Sequence, residues 1–196
     1  MSHFNHVANT WDSNEKILLM QDLAKKTIAK LNIQEKLSIM DFGCGTGLFG
    51  LEFSDYIHSL VGVDTSAGML EVFNEKTKGL ENISSRMLNL EYETLDLKFD
   101  LIISSMAFHH LEDPKNMIGK LRNLLNSGGQ IAIVDLEKED GSFHPDPIAM
   151  GVKHFGFTND EIESWAQEHD MSVRISTINT KEKNEKTYDQ FLAVFS

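Results

Sequence analysis

Short runs of β-forming residues alternate with helix-length segments along most of this sequence, and this alternation constrains the fold more than any other feature. The predicted strands are 38–42, 60–64, 83–88, 100–104 and 130–136, and the predicted helices between them are 47–53, 67–78 and 114–125. A helix between two strands returns the chain to the same end of a sheet, so that the two strands pair in parallel. The pattern therefore predicts βαβ units around a parallel sheet.

Both ends of the sequence add elements to this sheet. Residues 14–31 carry apolar side chains at roughly helical spacing between lysines and acids, which predicts an amphipathic helix. After residue 136 we predict a loop, a helix over 159–168 and a closing hairpin formed by the β-like runs 172–179 and 190–195. The charged and polar residues 180–187 between these runs are typical of a solvated hairpin tip.

Composition limits the size and the class of the protein. With 196 residues and 41% hydrophobic content, the chain is expected to form one domain spanning 1–196. Its 18 basic and 30 acidic residues give a net charge of −12, which opposes the attraction to phosphate that underlies most nucleic-acid binding. We therefore expect no nucleic-acid partner.

The same composition bears on compartment and on metal or thiol chemistry. The lone Cys44 excludes a disulfide framework and a multi-cysteine metal site. The first residues do not resemble a secretory signal, and no apolar stretch is long enough to span a membrane. The sequence thus predicts a cytoplasmic protein without membrane association.

A glycine-rich turn follows the first predicted strand. Gly43, Gly45 and Gly47 permit backbone conformations closed to other residues and let a ligand approach the main chain. Residues 45–50 also match the GxGxxG fingerprint of dinucleotide-binding proteins. Asp64, at the end of the second predicted strand, could bind the ribose hydroxyls of either cofactor type. The glycines alone do not distinguish a nicotinamide dinucleotide from a sulfonium cofactor.

Asp41 separates these two cofactors. Its carboxylate precedes the first glycine, where it can bind the ammonium group of a methionine moiety but would repel a pyrophosphate. A dehydrogenase also generally needs a substrate domain, for which few residues remain after one sheet. Both observations favour a sulfonium cofactor.

Residues 41–47, read as Asp-Phe-Gly-Cys-Gly-Thr-Gly, resemble the first motif of class I S-adenosylmethionine-dependent methyltransferases of the small-molecule type. Residues 63–70, 99–105 and 125–131 resemble the family's second motif, its fourth strand and its turn into the fifth strand, in that order. The resemblance implies a Rossmann-like α/β fold with a seven-stranded, mostly parallel sheet, helices on both faces and an antiparallel last strand. It also implies S-adenosyl-L-methionine as cofactor and S-adenosyl-L-homocysteine as product.

The resemblance further implies a set of cofactor-binding residues. The glycines would hold the amino-acid part, Asp64 the ribose, and Ser105 and Met106 would lie beside the reactive methyl group. Asn89 stands where the family usually has an acidic residue, although its amide oxygen can accept a hydrogen bond from the adenine amino group. The full predicted set is Trp11, Asp41, Gly43, Cys44, Gly45, Gly47, Asp64, Thr65, Met69, Asn89, Leu90, Ser105 and Met106.

The amino-terminal segment 1–32 is predicted to combine a helix with a lid. Its residues 4–12 resemble the aromatic stretch that many small-molecule methyltransferases fold over the cofactor. The alternative is that Phe4 and Trp11 pack the first helix against the sheet, since lids and such packing contacts share a composition.

Histidines are the candidate residues for the acceptor side. Methyl transfer from a sulfonium is an in-line displacement that needs no acid, and it needs a base only where the acceptor loses a proton. His110 follows the fourth strand and is the candidate base, with a structural role in the following turn as the alternative. His109, His144 and His154 are candidates for substrate binding.

The loop 137–157 is predicted to cover the acceptor pocket, while the alternative is an ordered cover whose histidines face water. Asp135, Glu137 and His144 lack the tight histidine spacing or the repeated carboxylates of a metal site, so no metal is expected.

Together these features predict an S-adenosylmethionine-dependent methyltransferase that acts on a small molecule as a monomer or a homodimer. No Pro-Pro-Tyr type motif follows the fourth strand, and no Pro-Cys nucleophile is present, which argues against amide, adenine amino and cytosine carbon acceptors. The alternatives are a nicotinamide-dependent oxidoreductase and a catalytically inactive partner subunit that binds S-adenosylmethionine.

Overall fold

A seven-stranded sheet organises the fold, in a computed structural model that describes residues 3–183 and 185–196. Its strands are β1 (Leu37–Phe42), β2 (Ile57–Asp64), β3 (Ile83–Met87), β4 (Phe99–Ser105), β5 (Leu125–Leu136), β6 (Val173–Lys183) and β7 (Lys186–Phe195). They are arranged in the order β3-β2-β1-β4-β5-β7-β6, and β1 to β5 pair in parallel. β7 is antiparallel to both of its neighbours. The predicted α/β fold with an antiparallel last strand is confirmed.

The α-helices begin and end at residues whose local chemistry explains the boundaries. They are α1 (His3–Val7), α2 (Asn14–Leu31), α3 (Ala67–Lys76), α4 (Pro114–Arg122) and α5 (Asn159–Glu168), and short 3-10 helices cover Ala8–Thr10, Gly50–Tyr56 and Phe108–His110. The side chain of Ser13 accepts a hydrogen bond at the start of α2, and Asn32 ends that helix in the left-handed conformation. Thr158 and Glu161 form a reciprocal capping box at the start of α5.

Several predicted boundaries are corrected by the structure. The predicted helix 47–53 is a 3-10 helix that begins only at Gly50, because the glycine turn occupies the preceding residues. The helix predicted to end at residue 125 ends at Arg122, and β5 begins at Leu125 rather than at residue 130.

Residues 180–187 form the end of the predicted hairpin, and residues 180, 182 and 185–187 are exposed, but the two strands continue into this segment. Thr180 pairs with Asp189, Lys181 with Tyr188 and Glu182 with Thr187, so these polar residues extend the two strands of the hairpin. The physical reason is that backbone pairing with a neighbouring strand does not require apolar side chains on an edge strand. Asn184 lies outside the described residues.

The core consists of two apolar clusters on opposite faces of the sheet. Met40 and Ile102 belong to one cluster, whereas their chain neighbours Ile39 and Ile103 belong to the other. Side chains that alternate between two buried faces are expected of central parallel strands covered by helices on both sides. With both faces covered, the edge where β1, β2 and β4 end is left for a ligand.

Candidate functional site

A cavity of about 810 Å³ opens at the carboxyl ends of β1, β2 and β4. This volume lies within the range of small-molecule and cofactor sites. The predicted site residues that line it are Trp11, Asp41, Gly43, Cys44, Gly45, Asp64, Thr65, Met69, Asn89, Leu90, Ser105, Met106, His109, His110 and His144. Gly47 and His154 do not line it. The fold therefore brings together most of the residues that the sequence singled out.

The three glycines of the turn have three different surroundings, although all have positive φ angles, of 70° at Gly43, 52° at Gly45 and 85° at Gly47. A Cβ atom on Gly43 would lie 2.5 Å from the Cβ of Ala107, whereas one on Gly45 would meet nothing within 4 Å. A Cβ atom on Gly47 would meet Phe73 and Leu51 at 2.8 and 2.9 Å. Gly47 therefore serves packing behind the turn, and Gly43 and Gly45 form the wall of the cavity.

Asp41 carries a buried carboxyl group next to this turn. Burial, and after it the charge of Asp64, raise the pKa of Asp41 to about 7, against a backbone hydrogen bond from Gly50 that lowers it. Its Oδ2 atom has no hydrogen-bond partner among the described residues. A buried carboxylate without a counter-charge is costly, so a cationic group in the adjoining cavity would compensate it. This environment fits the ammonium group of a methionine moiety.

Asp64 joins the end of β2 to the glycine turn. Its Oδ2 accepts a hydrogen bond from the Gly45 amide and its Oδ1 one from the Ser66 amide, each at 2.8 Å. Burial raises the pKa of Asp64 despite these bonds. Each carboxylate oxygen has a second lone pair, so Asp64 can still accept hydrogen bonds from the hydroxyls of a ribose.

Cys44 and Met69 contribute to the wall mainly as packed side chains. Cys44 belongs to an apolar core cluster, and burial holds the pKa of its thiol well above the ordinary value. A neutral buried thiol is a poor nucleophile. Met69 lies in the first turn of α3 and is almost completely buried. Thr65, between Asp64 and the start of α3, is exposed at the cavity.

The segment after β3 supplies a further wall. The amide oxygen of Asn89 accepts a hydrogen bond from the Glu91 amide at 2.9 Å, so the atom predicted to meet adenine already stabilises its own turn. That oxygen keeps one lone pair for a second donor. Leu90 is buried in the core below it.

The end of β4 is held in an unusual conformation. Met106 has a φ of 55°, which is uncommon for a residue other than glycine. Its sulfur accepts a hydrogen bond from Gln190 of β7, and the hydroxyl of Ser105 lies 3.5 Å from the sulfur of Met20 in α2. These contacts hold the last residue of β4 and the residue after it in place at the cavity.

The amino-terminal segment, defined as residues 3–12, closes one side of the cavity. The side chain of Asn5 accepts hydrogen bonds from the Ser66 hydroxyl at 2.7 Å and the Gly68 amide at 3.0 Å. Asp12 accepts one from the Thr46 hydroxyl at 2.6 Å and pairs with Lys76 at 2.6 Å. The segment is thus tied to the glycine turn and to α3.

The aromatic residues of this segment lie at the cavity. Phe4 packs edge-on against Trp11, with ring centroids 5.6 Å apart, and against His110 at 5.2 Å. Both Phe4 and Trp11 line the cavity, and neither belongs to a core cluster. Both rings therefore contact the cavity and not an apolar core cluster, and the lid stays a prediction. Residues 1 and 2 lie outside the described residues.

His109 and Asp135 form a buried pair. The Nδ1 atom of His109 lies 2.7 Å from Oδ1 of Asp135, and the His109 amide donates to Oδ2 at 3.2 Å. Burial opposes ionisation of Asp135, but His109 and the surrounding amide donors outweigh it and lower the pKa of Asp135. The other ring nitrogen of His109, Nε2, is buried without a hydrogen-bond partner among the described residues.

The other candidate histidines differ from His109. The Nδ1 atom of His110 lies 3.1 Å from the carbonyl oxygen of Gly151. Burial, and after it the neighbouring His109 and His110, lower the pKa of His144 to about 4. His154 lies outside the lining, where its Nε2 is 3.0 Å from the Leu111 carbonyl oxygen and its ring packs on Phe157. This geometry gives no support to a substrate-binding role for His154.

The lining also contains residues that the sequence did not single out, among them three lysines and a phenylalanine. Lys181 and Lys183 come from β6, Phe143 from the loop after β5, and Lys16 from α2. Lys183 donates a hydrogen bond to the Phe143 carbonyl at 2.5 Å, and Lys16 lies 3.2 Å from the centroid of the Trp11 ring. The i, i+2 spacing of Lys181 and Lys183 places both on one face once 180–183 is read as a strand. No group of three or more potential metal ligands was found in the described part of the chain.

Comparison with known proteins identifies related sequences. A family profile described as a methyltransferase domain matches residues 40–133. The uncharacterized methyltransferase C1347.09 of Schizosaccharomyces pombe is 34% identical over 157 residues, which cover 72% of this chain and 55% of that protein. The ubiquinone/menaquinone biosynthesis C-methyltransferase UbiE of Campylobacter jejuni is 27% identical over 154 residues, covering 71% and 65%. The chain therefore spans between about half and two thirds of the length of these relatives.

The fold has solved counterparts as well. The structure of DhpI in complex with SAH superposes with a TM-score of 0.75 at 17% identity, covering 98% of this chain and 92% of DhpI. At this identity the comparison shows a shared fold. The sequence matches and the fold agree with the order of strands and motifs described above.

Proposed function

Because the chain belongs to the class I methyltransferase family, we propose that it transfers the methyl group of S-adenosyl-L-methionine to a small-molecule acceptor. The observation that carries this proposal is the position of the Asp41 carboxyl group next to the glycine turn. Asp41 offers a buried, unpartnered carboxylate oxygen beside a main chain that a ligand can approach. A zwitterionic amino-acid group complements this arrangement, whereas a pyrophosphate would be repelled.

Each part of the cofactor is assigned to the lining residues nearest to it along the cavity wall. We assign the amino-acid part to Asp41, Gly43 and Gly45, and the ribose hydroxyls to Asp64. In this assignment the adenine lies between Met69 and the turn at Asn89 and Leu90, and Thr65 and Cys44 are neighbouring wall residues. When bound, S-adenosyl-L-methionine supplies a methyl group on a positively charged sulfur, beside Ser105 and Met106. Trp11 covers the site from the amino-terminal segment.

We propose that the acceptor binds in the remaining part of the cavity, which is lined by His109, His144, Phe143 and Lys183. Residues of the amino-terminal segment and of the loop 137–157 line the cavity, and a concave site of this kind suits a small molecule. The net charge of −12 argues against a nucleic acid. The name of the Campylobacter jejuni relative, a C-methyltransferase of ubiquinone/menaquinone biosynthesis, also supports a small acceptor.

Among the described residues, no helix is both long and apolar enough to cross a membrane. The cytoplasmic location, the single domain over 1–196 and the monomeric or homodimeric state stay predictions.

Thermal unfolding with two ligands tests the cofactor. We expect S-adenosyl-L-homocysteine to raise the melting temperature of the wild type and of a Glu163→Gln control on the exposed face of α5, but not that of Asp64→Ala. A rise with NAD alone would favour the nicotinamide-dependent oxidoreductase and refute the proposal.

A labelled-methyl screen over metabolite pools then tests turnover. Transfer of label by the wild type and by Glu163→Gln, together with its loss in Asp64→Ala, is the expected result. Binding of S-adenosyl-L-homocysteine without transfer to any pool would instead favour a partner subunit that has kept only the binding site. Equal transfer by Asp64→Ala would contradict the ribose contact.

A further inference from the structure

We propose that His109, held in place by Asp135, is the base that removes a proton from the acceptor, and that the acceptor is methylated on a weakly acidic hydroxyl of the phenol or enol type. This inference rests on the proposed methyltransferase function and adds to it the catalytic group and the class of acceptor. It differs from the sequence prediction, which named His110 as the candidate base with a structural role as the alternative.

The pairing with Asp135 fixes which ring nitrogen of His109 carries the hydrogen. Asp135 accepts hydrogen bonds from the amides of His109 and Leu136. An ionised carboxylate can only accept, so the contact of 2.7 Å between Oδ1 and Nδ1 requires the hydrogen on Nδ1. The lone pair of the neutral ring then lies on Nε2. The same arrangement of carboxylate and histidine orients the base of serine hydrolases.

His109 Nε2 is a buried ring nitrogen without a partner at the wall of the cavity. The atom is buried and has no hydrogen-bond partner among the described residues, while His109 itself lines the cavity. A buried polar atom without a partner is rare, and it commonly marks a functional site. The rings of His110 and His144 pack against His109 with centroids 4.1 and 4.9 Å away, so we expect an acceptor hydroxyl to donate to Nε2 once one of these rings has moved.

Asp135 distinguishes His109 from its neighbours. The Nδ1 atom of His110 lies 3.1 Å from the Gly151 carbonyl oxygen, whereas Nδ1 of His109 lies 2.7 Å from a carboxylate. His144 packs 4.9 Å from the His109 ring, and its lowered pKa keeps it neutral at pH 7. The buried carboxylate of Asp135 next to the His109 ring is the group that would stabilise an imidazolium formed during the reaction.

The lysines of the cavity indicate the charge of the acceptor. Lys16, Lys181 and Lys183 line the same cavity as His109, and Glu91 is the acidic lining residue outside the cofactor wall. Lys181 is paired with Glu15 at 2.9 Å, so Lys16 and Lys183 carry the argument that follows. Positive groups favour an acceptor that becomes anionic when it loses its proton, and disfavour an amine that arrives as an ammonium ion. A hydroxyl that becomes a phenolate or an enolate meets this condition.

The reaction balances without a further reagent. Nε2 of His109 takes the hydroxyl proton, and a lone pair of the oxygen attacks the methyl carbon. The carbon–sulfur bond breaks with its electron pair on sulfur, which turns the sulfonium into a neutral thioether. Asp135 stabilises the imidazolium, which then releases its proton to water. Such a base typically contributes about 10²- to 10⁴-fold to the rate.

A pair of phenols tests the base. At pH 8.5, 4-methylphenol keeps its proton, whereas 4-nitrophenol is ionised and needs no base. We expect His109→Asn, whose amide can still donate to Asp135, to lower labelled-methyl transfer to 4-methylphenol by roughly 100-fold or more, and that to 4-nitrophenol by less than about 10-fold. His58→Asn, on an exposed position of β2, is the matched control.

The outcomes separate this inference from the proposed function. If S-adenosyl-L-homocysteine still raises the melting temperature of His109→Asn, the cofactor site of that variant is intact. If S-adenosyl-L-homocysteine does not raise the melting temperature of the wild type, the proposed function itself is contradicted. Equal losses with both phenols, or a larger loss in His110→Asn, would overturn the role of His109. Labelling of benzylamine alone, or of neither phenol by the wild type, would overturn the hydroxyl class.

The tautomer provides a readout that needs no acceptor. In ¹⁵N NMR spectra of the wild type, we expect the His109 hydrogen on Nδ1, and we expect Asp135→Asn to shift it towards Nε2, because an amide can donate to Nδ1. A hydrogen on Nε2 in the wild type would refute the assignment of Asp135 as the positioning residue.

Discussion

At the scale of single residues, Asp41 shows how a binding group can oppose folding. Its pKa of about 7 in the folded chain lies above the value of about 3.9 in an unfolded chain, because burial penalises the charge. The folded state therefore keeps the proton to a higher pH than the unfolded state does. The stabilisation that results is complete below about pH 4 and is lost as the pH rises through 7.

The substitution Asp41→Asn should raise the stability of the ligand-free protein at pH 8. A shift of about three pKa units corresponds to about 4 kcal/mol, which is an upper limit because the new amide also needs a hydrogen-bond acceptor. We expect a gain of about 1–3 kcal/mol in urea unfolding at pH 8 and little gain at pH 4. Asp96→Asn, at an exposed position, is the control. A loss of stability at pH 8 would contradict this account.

The same charge governs binding of the cofactor. We expect the affinity for S-adenosyl-L-homocysteine, measured by calorimetry, to rise between pH 6 and pH 8 as Asp41 ionises to meet the ammonium group. In Asp41→Asn the affinity should fall by about tenfold or more, and its pH dependence over this range should be reduced. An unchanged affinity in that variant would exclude Asp41 from the site.

Gly43 and Gly45 allow conformational strain to be separated from steric contact. Both have positive φ, so an alanine at either position costs about 1–2 kcal/mol. Only the Cβ at position 43 would also collide with Ala107. We expect Gly43→Ala to destabilise the protein by at least about 2 kcal/mol more than Gly45→Ala in urea unfolding. Equal losses would show that contact with Ala107 does not matter.

At the scale of elements, the helices and turns that could be predicted are the ones determined by residues within them or next to them in the sequence. The bounds of α2 and α5 agree with prediction, because helical periodicity and capping residues lie within the helices or beside them. The glycine turn and Asp64 were predicted for a similar reason, since each follows its own strand directly.

Elements that depend on distant partners could not be predicted in this way. The strand character of residues 180–183 comes from pairing with β7, and β7 in turn pairs with β5. That order of strands brings Lys181 and Lys183 to the cavity, which no local pattern reveals. The contact between His109 and Asp135 likewise joins β5 to the residues after β4.

The amino-terminal segment is an element whose attachment can be tested directly. Replacing Asp12 by asparagine removes its ion pair with Lys76, and should speed hydrogen exchange in residues 3–12 while weakening S-adenosyl-L-homocysteine binding several-fold. The global stability should change by less than about 1 kcal/mol, because the pair is partly exposed.

Glu75→Gln is the matched control for the amino-terminal segment. It removes the exposed ion pair between Glu75 and Lys78 at the end of the same helix without touching the segment. If both variants gave the same exchange rates over residues 3–12, the Asp12 contact would not hold the segment.

At the scale of the whole molecule, the site lies where three separate parts of the chain meet above two apolar cores. The glycine turn, the amino-terminal segment and the hairpin of β6 and β7 all line the cavity. The clusters on the two faces of the sheet supply the stability, so the unpaired groups at the edge can be tolerated. Changes in pH should therefore alter stability through the groups of the cavity as well as through surface charge.

His144 gives the clearest test of this view, because its effect has the opposite sign to that of Asp41. Its pKa is about 4 in the folded protein and about 6.5 when unfolded, since burial opposes the charged ring. The unfolded chain therefore binds a proton first on acidification, and the protein loses stability as the pH falls from 6.5 towards 4.

In His144→Gln this loss should be smaller by about 1–2 kcal/mol, measured by urea unfolding at pH 7, 6, 5 and 4.5. His58→Gln, at an exposed position, should follow the wild type. A constant difference between His144→Gln and wild type across these pH values would mean that His144 acts through packing and not through its charge.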